Sequence, residues 1–329
     1  MTGTAVGDRR EPAVIADHLV KRFGETTAVN DVSFSIGKGE LFGFIGPDGG
    51  GKTTLFRILV TLFVPESGSA RVLGRDVVAE LWDLRRRIGY MPGRFSLYPD
   101  LSVEENIRFF ASVFGTTLER EYEQIAPIYT QLEQFKTRRA AALSGGMKQK
   151  LALCCALVHR PEILFLDEPT TGVDAVSRRE FWDLLARIKT TGLTIVVSTP
   201  YMDEANRCDR VALVQRGRIL AIDTPQAITA SFDRPLFAIR VSDRFGALRA
   251  LRDYENTNTI YPFGEVMHFT DKRAEASPEQ ISREVSGYLV QRGIANADVM
   301  PASPTIEDTF ISRMGAPEGE DAPRERGAA

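Results

Sequence analysis

Cysteine is scarce in this chain of 329 residues, which holds only Cys154, Cys155 and Cys208. Two adjacent thiols and one distant thiol give neither a disulfide framework nor a zinc site. Cys154 and Cys155 fall in an apolar helical run and read as core residues. Histidine is as sparse, at His18, His159 and His268. No apolar run reaches the roughly 18 residues that a membrane-spanning helix needs. The opening residues carry charge with no apolar stretch behind it, so they do not read as a secretory signal. Neither sign of charge dominates: 41 Lys and Arg face 44 Asp and Glu, a net charge of -3. That balance lacks the basic footprint of a nucleic-acid binder and the acidic run of a charged tail. What remains is 43% hydrophobic and 26% charged, a globular composition. At roughly 150 residues per domain it makes about two domains of a cytosolic α/β protein.

Residues 1–12 are polar and small and read as disordered. Strand patterns follow at Val14–Ala16, Val32–Ile36 and Glu40–Ile45, the last running straight into Gly46-Pro47-Asp48-Gly49-Gly50-Gly51-Lys52-Thr53-Thr54. Leu55, Ile58, Leu59 and Leu62 then recur at helical spacing before Pro65. Residues 95–160 read as mostly helical, with helix starts near Ser102 and at Ser144. Ile163–Leu166 is a short buried strand ending in Asp167 and Glu168. A helix over Ala175–Lys189 leads into a second buried strand, Leu193–Thr199, and two further strands bracket the turn Gln215–Arg218. Helices alternating with apolar strands predict a largely parallel sheet covered on both faces. From about residue 235 to 315 the order becomes β-α-β-β-α-β, which predicts a small ferredoxin-like α+β unit. Residues 316–329 read as a disordered tail.

The first chemical motif is Gly46-x-x-x-x-Gly51-Lys52-Thr53, a full phosphate-loop pattern between a strand and a helix. Its glycines let successive backbone N–H groups curl around phosphates, and the helix N-terminus adds partial positive charge. Lys52 reaches the terminal phosphates and Thr53 offers its hydroxyl to Mg²⁺. The second is the strand that delivers Asp167 to the magnesium and Glu168 to an attacking water as general base. The third is Leu143-Ser144-Gly145-Gly146-Met147-Lys148-Gln149. Here a hydroxyl and bare N–H groups at a helix start make a second anion-binding surface.

With that third motif, and with Asp-Glu-Pro-Thr-Thr-Gly-Val-Asp at 167–174, the chain resembles the ATP-binding cassette (ABC) transporter ATPases over about residues 14–225. The C-terminal unit, ending in Pro304-Thr305-Ile306-Glu307-Asp308-Thr309-Phe310-Ile311-Ser312, resembles the extension of ABC-2 type drug and antibiotic exporters. The resemblance implies a P-loop NTPase cassette over residues 13–230, a RecA-like core plus a helical subdomain, with the α+β accessory domain behind it. It implies ATP and Mg²⁺ as ligands, held by the whole loop Gly46–Thr54. It also implies a head-to-tail dimer in which Ser144, Gly145, Gly146 and Met147 touch ATP bound to the partner. By the same resemblance Phe23 stacks on adenine and Asp174 communicates across the dimer. The implied partners are membrane-spanning permease subunits and a second cassette, with no nucleic acid, which places the chain on the cytoplasmic face of the cell membrane.

Two family positions are altered. Gly93 stands where the family has a magnesium-sensing glutamine. Pro200 stands where it has a histidine that contacts the γ-phosphate. Proline lacks even a backbone N–H, and none of the three histidines neighbours this strand in sequence. Asp48 replaces a usual asparagine, and a carboxylate there must point away from the phosphates. Removing one such contact costs about 2.7–4 kcal/mol, or 10²–10³ in rate. The expectation is an ATP-binding exporter subunit whose own site binds better than it hydrolyses, working as a heterodimer with a complete cassette. The alternatives are a homodimeric, fully active ATPase, a regulatory nucleotide-binding subunit, and a soluble ABC protein acting on ribosomes or DNA.

Overall fold

The structure is a computed structural model that describes residues 12–314 apart from residues 95 and 274. The ends read as disordered lie outside the described residues, Pro12 excepted. The chain divides into two compact units, one reaching to Pro225 and the other starting at Gln226.

The first unit holds two sheets and a helical region. Its strands are β1 (Pro12–Phe23), β2 (Thr26–Gly37), β3 (Leu41–Ile45), β4 (Ser67–Val72), β5 (Arg75–Asp76), β6 (Ile88–Met91), β7 (Ile163–Asp167), β8 (Thr194–Thr199), β9 (Arg210–Gln215) and β10 (Arg218–Asp223). Its helices are α1 (Lys52–Leu59), α2 (Leu81–Arg87), α3 (Val103–Val113), α4 (Leu118–Tyr129), α5 (Gly145–Leu157) and α6 (Ala175–Lys189). The short α7 (Pro225–Ala230) begins at the division between the units.

The larger sheet runs β10-β9-β3-β8-β7-β6, parallel except for the β9–β10 pair. After β3 the chain crosses to the far edge at β6, returns through β7 and β8, and places β9 on the other side of β3. The carboxyl end of β3 is thus a topological switch point, where open α/β sheets hold their ligands. β3, β7 and β8 are buried along their whole length, polar residues standing only at the ends of β7 and β8.

The smaller sheet, β2-β1-β4-β5, is antiparallel. β1 and β2 each span 12 residues, well beyond the apolar patterns that mark them in the sequence. His18 explains the difference in β1. It sits in a left-handed conformation at φ 48°, and the register of β1 slips between Ala16 and Leu19. An extra residue of this kind destroys the period-two alternation that would advertise a strand. A run of edge-to-face rings, Phe34–Phe44–Phe56–Phe165, joins the smaller sheet to the larger at Phe34–Phe44 and packs α1 on the larger sheet through Phe56, with centroids 5.1–5.8 Å apart. Each such contact adds about 0.5–1.5 kcal/mol beyond the burial of area.

α1 ends at Leu59, not beyond Leu62 as the spacing predicted. Thr61 adopts φ 66° and Leu62 is exposed, so the chain turns away before the last apolar position. α3 opens on a reciprocal cap between Ser102 and Glu105. α5 begins at the cap Ser144 and is buried around most of its circumference, with Cys154 and Cys155 inside. Burial pushes both thiols upward in pKa, which keeps them inert.

The second unit contains β11 (Leu236–Arg240), α8 (Arg244–Arg252), β12 (Thr257–Phe263), β13 (Val266–Asp271), α9 (Pro278–Gln291), β14 (Asp298–Ala302) and α10 (Ile306–Arg313). Its antiparallel sheet has the order β12-β13-β11-β14, the ferredoxin-like arrangement. Phe237, Ile239, Phe269, Ile281, Val285 and Leu289 form its core. Opposite that core's chemistry stands a polar cluster: Asp308 of α10, buried, accepts from the Tyr261 hydroxyl and lies 2.6 Å from His268 Nδ1.

Candidate nucleotide site

The loop 46–51 leaves β3 and closes onto the first turn of α1. Two of its glycines are there because no side chain fits. A Cβ on Gly46 would lie 2.0 Å from the Val214 carbonyl oxygen, and one on Gly51 would lie 2.2 Å from that of Ala28. Gly51 also holds φ at 100°. The β9–β10 turn braces the loop from behind, with Gly217 N donating to Gly50 O at 2.9 Å. Residues 49–54, Ala28 and Glu168 enclose a cleft of about 130 Å³.

Lys52 is 2% exposed. Its Nζ donates to the carbonyls of Gly46 at 2.8 Å and Pro47 at 3.0 Å, and stands 3.4 Å from Glu168 Oε1. The loop carbonyls thus orient the ammonium across the cleft, where incoming phosphate oxygens can exchange for the carboxylate. Thr53 Oγ1 donates to Asp167 Oδ1 at 3.1 Å. β7 therefore brings Asp167 and Glu168 to the loop, 114 residues from Thr53 in sequence. Asp48 is exposed at the tip of the loop and does not line the cleft. Nor does Phe23: its ring packs edge-on against Phe63 at 5.5 Å and stays half-exposed, with Lys21 Nζ 5.5 Å from its centroid.

The sequence reading missed Ser198. Its hydroxyl donates to Asp167 Oδ1 at 2.6 Å, and Glu168 N donates back to Ser198 Oγ at 3.0 Å. Glu168 holds φ at 49°, a left-handed conformation costing a side-chain-bearing residue about 1–3 kcal/mol. Its N–H bonds to Ser198 Oγ and Ser198 O fix that conformation. Serine in an apolar strand carries no signal of its own, although its position two residues before Pro200 could have drawn attention.

Gly93 comes close to this cluster. A Cβ there would lie 3.0 Å from Asp167 O and 3.7 Å from Glu168 Cβ, so a side chain at 93 would stand beside both acids. Pro200 follows directly on β8 and is half-buried. No imidazole takes over at this place: His18 bonds to Asp31, His159 stacks on Phe114, and His268 serves the second unit.

The signature segment is built differently. Ser144 Oγ accepts from Met147 N at 3.3 Å and caps α5. Ser144 and Gly145 are exposed, with first-turn N–H groups that have no partner within the helix. Gly146 is buried instead, because Ser177 of α6 lies 2.7 Å from where its Cβ would stand. Asp174 caps α6, accepting from Ser177 N at 3.0 Å and Val176 N at 3.1 Å. These bonds, that from Ser177 first, hold its carboxyl below the usual range.

A phosphate loop at the switch point of a mostly parallel sheet, with an acidic pair at the end of the next strand but one, defines a P-loop nucleotide-binding cassette. Residues 29–171 match the ABC transporter family. The chain is 43% identical over 229 residues to the probable multidrug ABC transporter ATP-binding protein YbhF of Escherichia coli. That match takes in 69% of this chain and 40% of YbhF, so the chain spans less than half the length of that relative. It is 33% identical to the Nod factor export ATP-binding protein I of a Rhizobium species, over 90% of this chain and 94% of that one. In structure it is similar to the ATP-binding cassette MJ0796, solved as a dimer in a post-hydrolysis state bound to ADP and Pi. The TM-score is 0.58 at 26% identity, covering 64% of this chain and 98% of that one. The chain belongs to the ATP-binding proteins of ABC transporters. Among the described residues no helix is long and apolar enough to cross a membrane.

Proposed function

We propose that this chain is the ATP-binding subunit of an exporter, coupling ATP binding and hydrolysis to efflux through separate membrane-spanning permease subunits on which it sits peripherally, on the cytoplasmic side. The observation that carries the reading is the convergence of Lys52, Thr53 and Glu168 on one cleft, with Asp167 bonded to Thr53 behind it. The names of the relatives, a multidrug transporter protein and a Nod factor exporter, favour export.

In this reading Lys52 and the N–H groups of the loop bind the ATP phosphates. The Thr53 hydroxyl and the Asp167 carboxylate are adjacent hard oxygens. They suit a Mg²⁺ ion that takes its remaining ligands from phosphate and water, and that ion supplies charge neutralisation at the phosphates when bound. Glu168 orients and deprotonates the attacking water. Phe23 meets the adenine once it turns from Phe63. Ser144, Gly145, Gly146 and Met147 complete the site of a partner cassette, and Asp174 faces that partner.

The same reading makes the chain's own site slow. Gly93 supplies nothing where a side chain would stand beside Asp167 and Glu168, and Pro200 supplies no donor. The signature is intact, so the productive assembly is a heterodimer in which a complete cassette hydrolyses ATP against this chain's Ser144 segment. The second unit is an accessory domain of that assembly. The test is steady-state ATP hydrolysis by the native chain beside a Gly93→Gln/Pro200→His variant, with Mg-ATP binding measured in both. Binding in both, with turnover raised roughly 10²-fold in the variant, is the expected outcome. Brisk hydrolysis by the native chain alone, abolished by Glu168→Gln, would instead establish a homodimeric ATPase. The Gln side chain must displace the Asp167 carbonyl by a few tenths of an ångström, given the 3.0 Å Cβ approach.

A further inference from the structure

The loop between β7 and α6 carries Glu168 at one end and Asp174 at the other, and one buried side chain reaches toward both ends. Glu204 lies in the 3-10 turn Met202–Arg207 and is 3% exposed. Thr170 Oγ1 donates to its Oε1 at 2.9 Å, and Thr199 Oγ1 donates to its Oε2 at 2.5 Å. Arg178 Nε, in the first turn of α6, stands 3.7 Å from Oε1. Thr170 and Thr199 are themselves buried. Three segments therefore meet on one carboxylate: the loop two residues past Glu168, the end of β8 just before Pro200, and the helix that Asp174 caps.

A buried carboxylate is costly unless hydroxyl donors and a cation meet it; here both do. A leucine would fill the same space, but it could not accept from two threonines. Arg178 is fixed in turn, with its guanidinium 4.7 Å from the Tyr201 ring centroid and 3.3 Å from Asp203 Oδ2. At the end of β8 the Thr199 hydroxyl also accepts from Tyr201 N at 3.1 Å. The turn that lacks a histidine is thus held through Thr199 and Glu204.

We propose that Glu204 is the positioning residue of the 168–174 loop. It acts through Thr170 on Glu168 and through Arg178 on Asp174, so the base at bound nucleotide and the aspartate facing a partner keep one geometry. This rests on the reading of the site as an ATPase centre. Among the described residues Glu204 has no hydrogen bond of its own to the phosphate loop and reaches it only through Thr199, whose carbonyl accepts from Gly46 N at 3.2 Å, so its main effect is on the rate of the reaction and not on nucleotide affinity.

The test uses the full chain and three variants: Glu204→Gln, Thr170→Val and Thr170→Ser. Amide hydrogen exchange is followed in peptides covering 168–175 and 46–54, alongside Mg-ATP affinity and the kcat and KM of hydrolysis. Glu204→Gln and Thr170→Val should speed exchange over 168–175 about tenfold and leave 46–54 unchanged, as a local opening would. kcat should fall about tenfold with Mg-ATP affinity within about twofold, and Thr170→Ser should restore both. Exchange that stays unchanged, or rises equally in both segments, would overturn the proposal. If Glu204→Gln does not fold, the Val and Ser variants of Thr170 decide the matter. A native chain that fails to bind Mg-ATP would sink the ATPase reading, while the exchange contrast would still decide whether Glu204 holds the loop.

Discussion

Each unit of this protein contains a buried carboxylate that gathers donors from distant segments, and the two serve different ends. Asp167 in the first unit accepts from Thr53 and Ser198. It stands at the carboxyl end of a mostly parallel sheet, beside a cleft lined by residues 49–54 of the phosphate loop and α1. Asp308 in the second unit accepts from Tyr261 and from both the N–H and the hydroxyl of Thr305, with His268 beside it. It is sealed under α10, with relative exposure of 1%. Similar chemistry thus performs two jobs. Where the cluster borders a cleft, its oxygens can be shared with a ligand. Where it is closed over, the bonds fix one helix to one sheet and nothing can enter.

The contrast breaks most easily at Lys52. Lys52→Ala removes the buried ammonium that faces the cleft, and Mg-ATP affinity and turnover should drop by about 10²–10³. Fluorescent-nucleotide titration measures this, and melting of the second unit should not move. Ser198→Ala comes next. It takes one donor from Asp167 and one acceptor from Glu168 N, so turnover should fall about tenfold, equivalent to about 1.4 kcal/mol. The Mg²⁺ concentration needed for half-maximal rate should rise, and a flat magnesium titration would remove Ser198 from the machinery.

The sealed cluster should respond in stability alone. Asp308→Asn removes the charge and one acceptor oxygen, so its amide N–H₂ faces either the Thr305 donors or the Tyr261 hydroxyl and His268. It should destabilise the second unit by about 1–3 kcal/mol, read by thermal unfolding, with nucleotide affinity unchanged. A loss of nucleotide affinity in this variant would show that the two clusters are not separable.

The smallest effect is one of pH. Burial pushes the Asp308 carboxyl up in pKa, but hydrogen bonds from Thr305, Tyr261 and His268 outweigh it and hold the group below 3.8. A carboxyl depressed on folding contributes stability above its unfolded value and loses it as pH falls through the folded one. The stability gap between the native chain and Asp308→Asn should therefore be full above pH 3.8 and close progressively below it. A gap that persists in acid would assign it to packing and not to charge.

The contiguous parts of this protein were legible in its residues. The loop Gly46–Thr54, the acidic end of β7 and the Ser144 cap each occupy a few neighbouring positions. Their chemistry needs a fixed residue type at a fixed spacing, which a linear reading can find. The element order of the second unit was legible for a related reason: its apolar runs are short and separated by clear turns. The core strands β3, β7 and β8 announced themselves through apolar runs, as a strand buried on both faces is mostly apolar, while the buried polar ends of β7 and β8 carry the site.

What the sequence alone determined, then, was the class of fold, the phosphate-loop pattern and the two unusual residues, Gly93 and Pro200. Only the tertiary structure decided which ordinary residues serve that chemistry. Ser198 lies 31 residues from Asp167, and Glu204 lies 34 from Thr170. A serine in a strand and a glutamate in a short turn are common everywhere. They acquire their roles when β7 and β8 pair in register, Asp167 opposite Ser198, and burial removes the water that would otherwise satisfy them. The bulge at His18, the packing of Gly146 on Ser177 and the Asp308 cluster depend in the same way on partners brought near by folding, because a polar group shut away from water must find its partner in space.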